Sequence, residues 1–166
     1  MRILGIDPGY GITGFGLIEA ERGQSRLLSC GAITTPAGMD FSARLEIIYE
    51  DMRRLLQQAK PDAVAIEELF FGQNVTTGIG VAQSRGVILL AIRQAGLEVT
   101  AYKPMQVKQA LVGYGNATKH QMQDMTKRLL HLSAMPKPDD AADAIAIALC
   151  HARSSTSLLA QAAQTR

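Results

Sequence analysis

The chain reads as a single α/β domain built around a mixed sheet. Three observations predict this. Apolar runs separated by short turns open the chain, strand and helix patterns alternate after them, and 166 residues with 47% hydrophobic and 19% charged composition suffice for one core. The composition is too apolar for a disordered chain, and no apolar run approaches the roughly 20 residues that span a bilayer. Asp7 interrupts the first apolar stretch, where a secretory signal needs about 7–15 uninterrupted apolar residues. A cytoplasmic protein is the expectation.

Arg2 to Asp7 reads as a buried strand, joined through Pro8-Gly9-Tyr10-Gly11 to a second strand over Ile12 to Glu19. Arg26 to Thr34 supplies a third, close enough in sequence for an antiparallel meander. From Phe41 the apolar positions Leu45, Ile48, Met52, Leu55 and Leu56 recur at helical spacing, and Lys60-Pro61 ends that amphipathic helix. Asp62 to Glu67 reads as a strand, Val75 to Gln94 as a helix and Leu97 to Tyr102 as a strand, so parallel pairing with right-handed crossovers is expected. A helix follows Lys103-Pro104 to about Leu111, and Gly113-Tyr114-Gly115 breaks it. Thr118-Lys119-His120-Gln121 has the pattern of a capping box and restarts a helix to Leu130. Ser133 to Pro138 reads as a loop and Asp139 to Ala152 as a final helix. The small and polar residues from Ser154 to Arg166 read as a flexible tail beyond a domain of residues 1–153.

Net charge is only +2, but it is segregated. Residues 1–84 hold seven Lys/Arg against ten Asp/Glu, whereas residues 85–130 hold seven against two. A basic surface for a polyanion beside a separate carboxylate cluster is one reading, and chance is the other. Cys30 and Cys150 stand in unrelated contexts and are expected as reduced thiols in the core. His120 reads as a surface or capping residue, and the methionines as core filler.

The informative residues are acidic ones where a core should be. Asp7 and Glu67 end apolar strands, and Asp140 and Asp143 lie one turn apart on an apolar helix. Burying ionised carboxylates costs several kcal/mol each without a cation, and no Lys or Arg is an evident neighbour in sequence. A hard divalent cation fits such oxygen donors. Two of them about 3.5–4 Å apart can activate a water and stabilise the leaving oxygen of a phosphoryl displacement. Each acid also has a plainer reading. Asp7 is a turn former before Pro-Gly, and one of Glu67 and Glu68 faces solvent. Asp139 or Asp140 caps the last helix, and spacing alone does not choose between Asp139 and Asp140 as Asp143's partner.

Five segments together carry a resemblance: Gly5-Ile6-Asp7-Pro8-Gly9, Ala65-Ile66-Glu67-Glu68-Leu69-Phe70, Gln83-Ser84-Arg85-Gly86, Gln106-Val107-Lys108-Gln109 and Asp140-Ala141-Ala142-Asp143-Ala144. In this order and at these spacings, over residues 2 to 152, they resemble RuvC, the family of bacterial Holliday junction resolvases. The resemblance implies a ribonuclease H-like fold, an α/β fold with a five-stranded mixed sheet flanked by helices. It also implies a metal-dependent endodeoxyribonuclease acting in recombination, DNA repair and the SOS response. On it, Asp7, Glu67, Asp140 and Asp143 are the catalytic and metal-holding carboxylates, which selects Asp140 over Asp139. Two Mg²⁺ per subunit are implied, with Mn²⁺ able to substitute. Lys108 and Lys119 fall near the scissile phosphate, and Phe70 is placed to stack on unpaired bases, with Phe71 an alternative for that wedge. Arg85 is expected to contact DNA, and Arg93, Lys127 and Arg128 add to the same basic segment. The implied partners are four-way junction DNA, a second copy of the chain and the RuvA–RuvB branch-migration complex, with the Val75 to Gln94 helix as a candidate dimer face. The rival readings are a non-catalytic junction-binding module, an enzyme acting on RNA/DNA hybrids, and an actin-like phosphate loop at Asp7 to Gly11.

Overall fold

The structure, a computed structural model, describes residues 1–69 and 75–164, without the side chains of 75, 76 and 156–164. Five strands form one mixed sheet in the order β3-β2-β1-β4-β5. They are β1 (Arg2–Asp7), β2 (Ile12–Glu21), β3 (Gln24–Thr34), β4 (Ala63–Glu67) and β5 (Val99–Tyr102). β1 pairs antiparallel with β2 and parallel with β4, and β4 pairs parallel with β5. Meander first and crossovers second is the order the sequence predicts.

The hairpin is longer than expected. The ladder continues past Glu19 and Arg26 to Glu21 and Gln24, because Arg22 (φ 50°) and Gly23 (φ 82°) close it in two residues. Two successive left-handed residues match the right-handed twist of the flanking strands. Just before the extension Arg26 and Glu19 pair across the ladder, with Arg26 Nη2 2.7 Å from Glu19 Oε2.

Five helices cover the sheet: α1 (Phe41–Ala59), α2 (Val75–Gln94), α3 (Pro104–Val112), α4 (Lys119–Leu130) and α5 (Asp139–Gln164). Asp40 caps α1 by accepting from the amides of Ser42 and Ala43 at 3.0 and 3.2 Å. The expected box at α4 forms, with Thr118 Oγ1 accepting from the Gln121 amide at 3.3 Å and Gln121 Oε1 from the Thr118 amide at 2.9 Å. α5 runs to Gln164, beyond the helix end expected at Ala152. Ala, Leu and Gln dominate residues 153–164, which contain no Gly or Pro to stop the helix.

Strand alternation sorts the core into two layers. Leu4, Ile6, Leu17, Val64 and Ile66 pack against α1 and α2, while Ile3, Ile18 and Ala65 pack against the other helices, chiefly α5. By the same alternation Gly5 and Asp7 share Ile3's face and Glu67 shares Ala65's. Both strand-end carboxylates therefore point toward α5.

α5 comes unusually close to the sheet because its track across β1 and β2 is paved with glycine. Gly5 pairs with Gly16, and Asp7 with Gly14. A Cβ at Gly5 would lie 2.0 Å from the Ala144 carbonyl oxygen, one at Gly14 2.0 Å from the Asp140 carbonyl oxygen, and one at Gly16 2.5 Å from Ile145 Cγ1. Glycine inside a strand commonly marks such a close approach. Ala144 and Ala148, both fully buried, complete the contact from the helix side.

Candidate active site

Asp7 and Glu67 are the last residues of β1 and β4, neighbouring parallel strands whose last paired residues are Ile6 and Ile66. Their carboxylates thus leave the same sheet edge side by side. The glycine track brings in the start of α5, where Asp140 sits over Gly14 and so beside Asp7. Asp7, Glu67 and Asp143 line a cleft of about 240 Å³ with Lys108, Lys119, Pro104, Val107 and Met122. Asp140 stands at its margin, close enough for its charge to act on Asp7.

Asp139 and Asp140 stand in different surroundings. Asp139 is exposed and turned to Lys119, whose Nζ is 3.0 Å from its Oδ2, and this ion pair holds the Asp139 carboxyl below its usual range. Asp140 is the one whose charge reaches Asp7. The α4 capping box fixes Lys119 in the first turn, and from there its Nζ also lies 3.7 Å from Asp143 Oδ2. Its ammonium pKa is raised by the bond to Asp139 and by the charge of Asp143.

The cleft is electrostatically strained. Burial, then the charges of Glu67, Asp143 and Asp140, push the Asp7 carboxyl up to about 8, with Lys119 offsetting only part. Glu67 is raised by burial and by Asp143, and Asp143 chiefly by burial. Among the described residues no three acidic, imidazole or thiol groups stand close enough to form a ready-made cation cage. Carboxylates of like charge repel, so drawing them together needs a cation's charge. The donor set suits one: all four groups offer hard oxygens, three separate elements deliver them, and the cost of holding them ionised is the cost a divalent ion would remove.

A stability prediction follows from the sign of these shifts. The Asp7 carboxyl, ordinarily at 3.8, is pushed up to about 8 in the fold, so between about pH 4 and 8 the folded chain holds a proton that the unfolded chain has released. Stability associated with Asp7 is complete below that window and is lost as pH rises through it. Glu67 and Asp143 act in the same direction. The melting temperature in EDTA should fall from pH 6.5 to pH 8.5, and millimolar Mg²⁺ or Mn²⁺ should restore it most strongly at the upper end. A scanning-calorimetry profile that is flat with pH and indifferent to the cation would contradict this.

The remaining expected site residues fall in different places. Lys108 lines the cleft. Arg85, expected at DNA, uses its Nε to donate to the Glu67 carbonyl oxygen at 3.2 Å. Phe70 and Phe71 lie outside the described residues. Arg128 lines a separate cavity with Glu21 to Ser25, at the sheet end opposite Asp7. His120 is on the surface, 3.4 Å from Asp124. Cys150 is buried, whereas Cys30 is only partly so, and both are free. No helix among the described residues is long and apolar enough to cross a membrane. Sequence reading gave no role to Ser84, Thr13 or the glycines of β2. The available signal was glycine at alternate positions of an otherwise apolar strand, Gly14 and Gly16.

Comparison with known proteins places the chain in a family. The family model described as crossover junction endodeoxyribonuclease RuvC matches residues 3–151. A protein of that name from Chloroflexus aurantiacus is 52% identical over 158 residues, covering 95% of this chain and 96% of the relative. The Thermus thermophilus RuvC structure superposes with a TM-score of 0.88 at 37% identity, over 95% of this chain and 96% of that one. A second Thermus thermophilus RuvC structure, in complex with a Holliday junction substrate, gives the same TM-score of 0.88 at 37% identity over 93% and 94% of the two chains. The five-stranded mixed sheet with its flanking helices is the ribonuclease H-like fold.

Proposed function

The chain belongs to the RuvC family of crossover junction endodeoxyribonucleases, and from that premise we infer that its carboxylate cleft is where a Holliday junction is nicked. The observation that carries the assignment is the Asp7 carboxyl, crowded by Glu67, Asp140 and Asp143 at one edge of the sheet. The enzyme is a metal-dependent nuclease, and Asp7, Glu67, Asp140 and Asp143 hold its cations, two Mg²⁺ per subunit with Mn²⁺ as substitute. When bound, the cations supply Lewis-acid activation of a water and neutralise charge on the departing oxygen.

The chain's own residues do the rest. Asp7 and Glu67, fixed by two neighbouring strands, set the floor on which the phosphate is aligned. Asp143 and Asp140, on the rigid start of α5, close one wall. Lys119 and Lys108 face the same space and neutralise non-bridging phosphate oxygens, so Lys119 exchanges its Asp139 partner for DNA. Hydrolysis forms one P–O bond from water and breaks the one to the 3′ oxygen, leaving ends that a ligase can join.

The junction itself is recognised through shape. Phe70, with Phe71 as the alternative, stacks on bases unpaired at the crossover, a contact worth about 1–3 kcal/mol and tolerant of sequence. Paired nicks on opposing strands require two sites, and the chain works as a homodimer. Ile79 and Leu90 on α2, 53% and 50% exposed, support that helix as the contact face. The cellular setting is cytoplasmic recombination and repair with the RuvA–RuvB complex, within the SOS response, and the nuclease domain ends near residue 153, beyond which α5 continues to Gln164.

Three substrates of matched sequence test the reading: a mobile four-way junction, a linear DNA duplex and an RNA/DNA hybrid, each with Mg²⁺, Mn²⁺ or EDTA. Paired nicks on the junction alone, dependent on the cation, are expected. Cleavage of the hybrid in preference to the junction would move the assignment to a ribonuclease, and tight junction binding without nicking under either cation would leave a binding module.

A further inference from the structure

We propose that Ser84 and Arg85, consecutive residues of α2, are positioning residues that latch the ends of β1 and β4 and so hold Asp7 and Glu67 at their working separation. The proposal rests on the reading of those carboxylates as the nuclease site. It arises from what the sheet does not do at that edge. The parallel ladder between β1 and β4 has its last pair at Ile6 and Ile66, one residue short of both acids. Past that pair each strand leaves in its own direction, β1 into residues 8–11 and β4 into Glu68. Asp7 keeps a ladder partner in Gly14 and Glu67 one in Tyr102, but no ladder pair joins the two acid-bearing residues to each other.

α2 supplies the missing bonds from the other layer. Ser84, fully buried, donates its Oγ hydrogen to the Gly9 carbonyl oxygen at 3.0 Å, two residues beyond Asp7. The next residue, Arg85, donates Nε to the carbonyl oxygen of Glu67 itself at 3.2 Å. Successive helix residues diverge by about 100°, so one turn of α2 reaches both strand ends at once. The Gly9 carbonyl takes a second donor, the Oγ1 of fully buried Thr13 at 2.5 Å. This loop has no room to relax, since a Cβ at Gly9 would lie 2.2 Å from the Ile12 carbonyl oxygen. Thr35 holds the next turn, donating Oγ1 to the Tyr10 carbonyl at 2.5 Å and accepting from Arg44 Nε at 2.8 Å. The β1 exit is therefore pinned from several sides, whereas among the described residues the β4 exit is held by the Glu68 amide bonded to the Tyr102 carbonyl at 2.8 Å and by the Arg85 side chain.

The latch assigns the Arg85 guanidinium a structural target inside the protein, in place of the phosphate its charge alone would predict. Supporting residues of this kind act through the groups they orient, and their loss typically costs 10–100-fold.

Two variants separate the possibilities. Ser84→Ala removes the Gly9 bond with no change of charge. Arg85→Lys keeps the charge but cannot place an N–H where Nε stands. In single-turnover cleavage at saturating junction, each should slow nicking about 10–100-fold and raise the Mn²⁺ concentration for half-maximal rate several-fold. Junction affinity should stay within about twofold of wild type. The Mn²⁺-induced rise in melting temperature, read without DNA, should shrink in both. Wild-type rates and wild-type Mn²⁺ shifts in both variants would overturn the latch. So would an Arg85→Lys effect confined to junction affinity and its salt dependence, which would return Arg85 to phosphate binding. A wild-type chain that nicks nothing would remove the nuclease reading instead, and the Mn²⁺ melting shift would still decide whether the latch orders the carboxylates.

Discussion

Asp7→Asn is expected to lose roughly 10³-fold in junction cleavage, about 4 kcal/mol of barrier, while melting higher than the wild type in EDTA at pH 8. The two effects have one cause. Asp7 is the most crowded of the four acids, and its carboxyl is held at about 8 by burial and by three like charges. An amide of almost the same shape ends the repulsion, so the metal-free chain is stabilised. The same change takes a charged oxygen donor from the centre of the cation site, so the catalyst fails. At pH 5, where the wild-type Asp7 is protonated in the fold, the stability gain should largely vanish. Junction affinity should hold or rise, because a negative charge has left a surface that faces phosphates. Calorimetric melting at the two pH values and a gel-shift titration check both halves. Loss of cleavage with equal loss of stability at both pH values would show a damaged fold instead.

Gly14→Ala should be among the most damaging single-methyl changes away from the acids, with Gly5→Ala its equal in backbone overlap. Its Cβ would sit 2.0 Å from the Asp140 carbonyl oxygen and 2.3 Å from the carbonyl carbon, so helix backbone must move. Backbone in a packed interior yields poorly, and a cost of about 3 kcal/mol or more is expected, a fall of roughly 10 °C in melting temperature. The displaced backbone belongs to Asp140, so cleavage should drop by about 10² or more even at temperatures where the variant is folded. Gly86→Ala is the control, since a Cβ there meets nothing within 4 Å and the position is inside α2. It should be neutral or up to about 1 kcal/mol more stable. Equal melting of the two variants would mean that α5 is free to ride outward, against the account of why its acids reach β1.

Much of this site is legible in the residues themselves. Asp7 and Glu67 stand out because each closes an apolar strand, and the period-two alternation then gives both the same face. α1 announces itself through apolar residues at helical spacing from Phe41, and α4 through Thr118 and Gln121, whose side chains cap the helix by local bonds that need no tertiary context. What escaped was non-local. Asp139 and Asp140 are equivalent in spacing, and only the position of Lys119 and the glycine track of β2 separates them. Ser84 and Arg85 look like an ordinary polar pair on a helix until the chain brings them against Gly9 and Glu67, 75 and 18 residues away. The hairpin extension was hidden by Glu21, Gln24 and Ser25 around the Arg22-Gly23 turn, because polar residues beside a glycine read as a loop. The run of helix past Ala152 was hidden by Ser154, Ser155, Thr156 and Ser157, poor helix formers that lie between Ala152 and the Leu-, Ala- and Gln-rich end of α5.

The central claim is that one cleft of four carboxylates performs cation-dependent hydrolysis at a DNA junction. The most direct test is single-turnover cleavage of a four-way junction, labelled on opposing strands, by the wild type and Asp7→Asn at concentrations where both are fully bound. Nicks on both labelled strands should appear with Mg²⁺ or Mn²⁺, vanish in EDTA and fall roughly 10³-fold in the variant. Nicking that persists in EDTA, or that survives in Asp7→Asn at the wild-type rate, would contradict it.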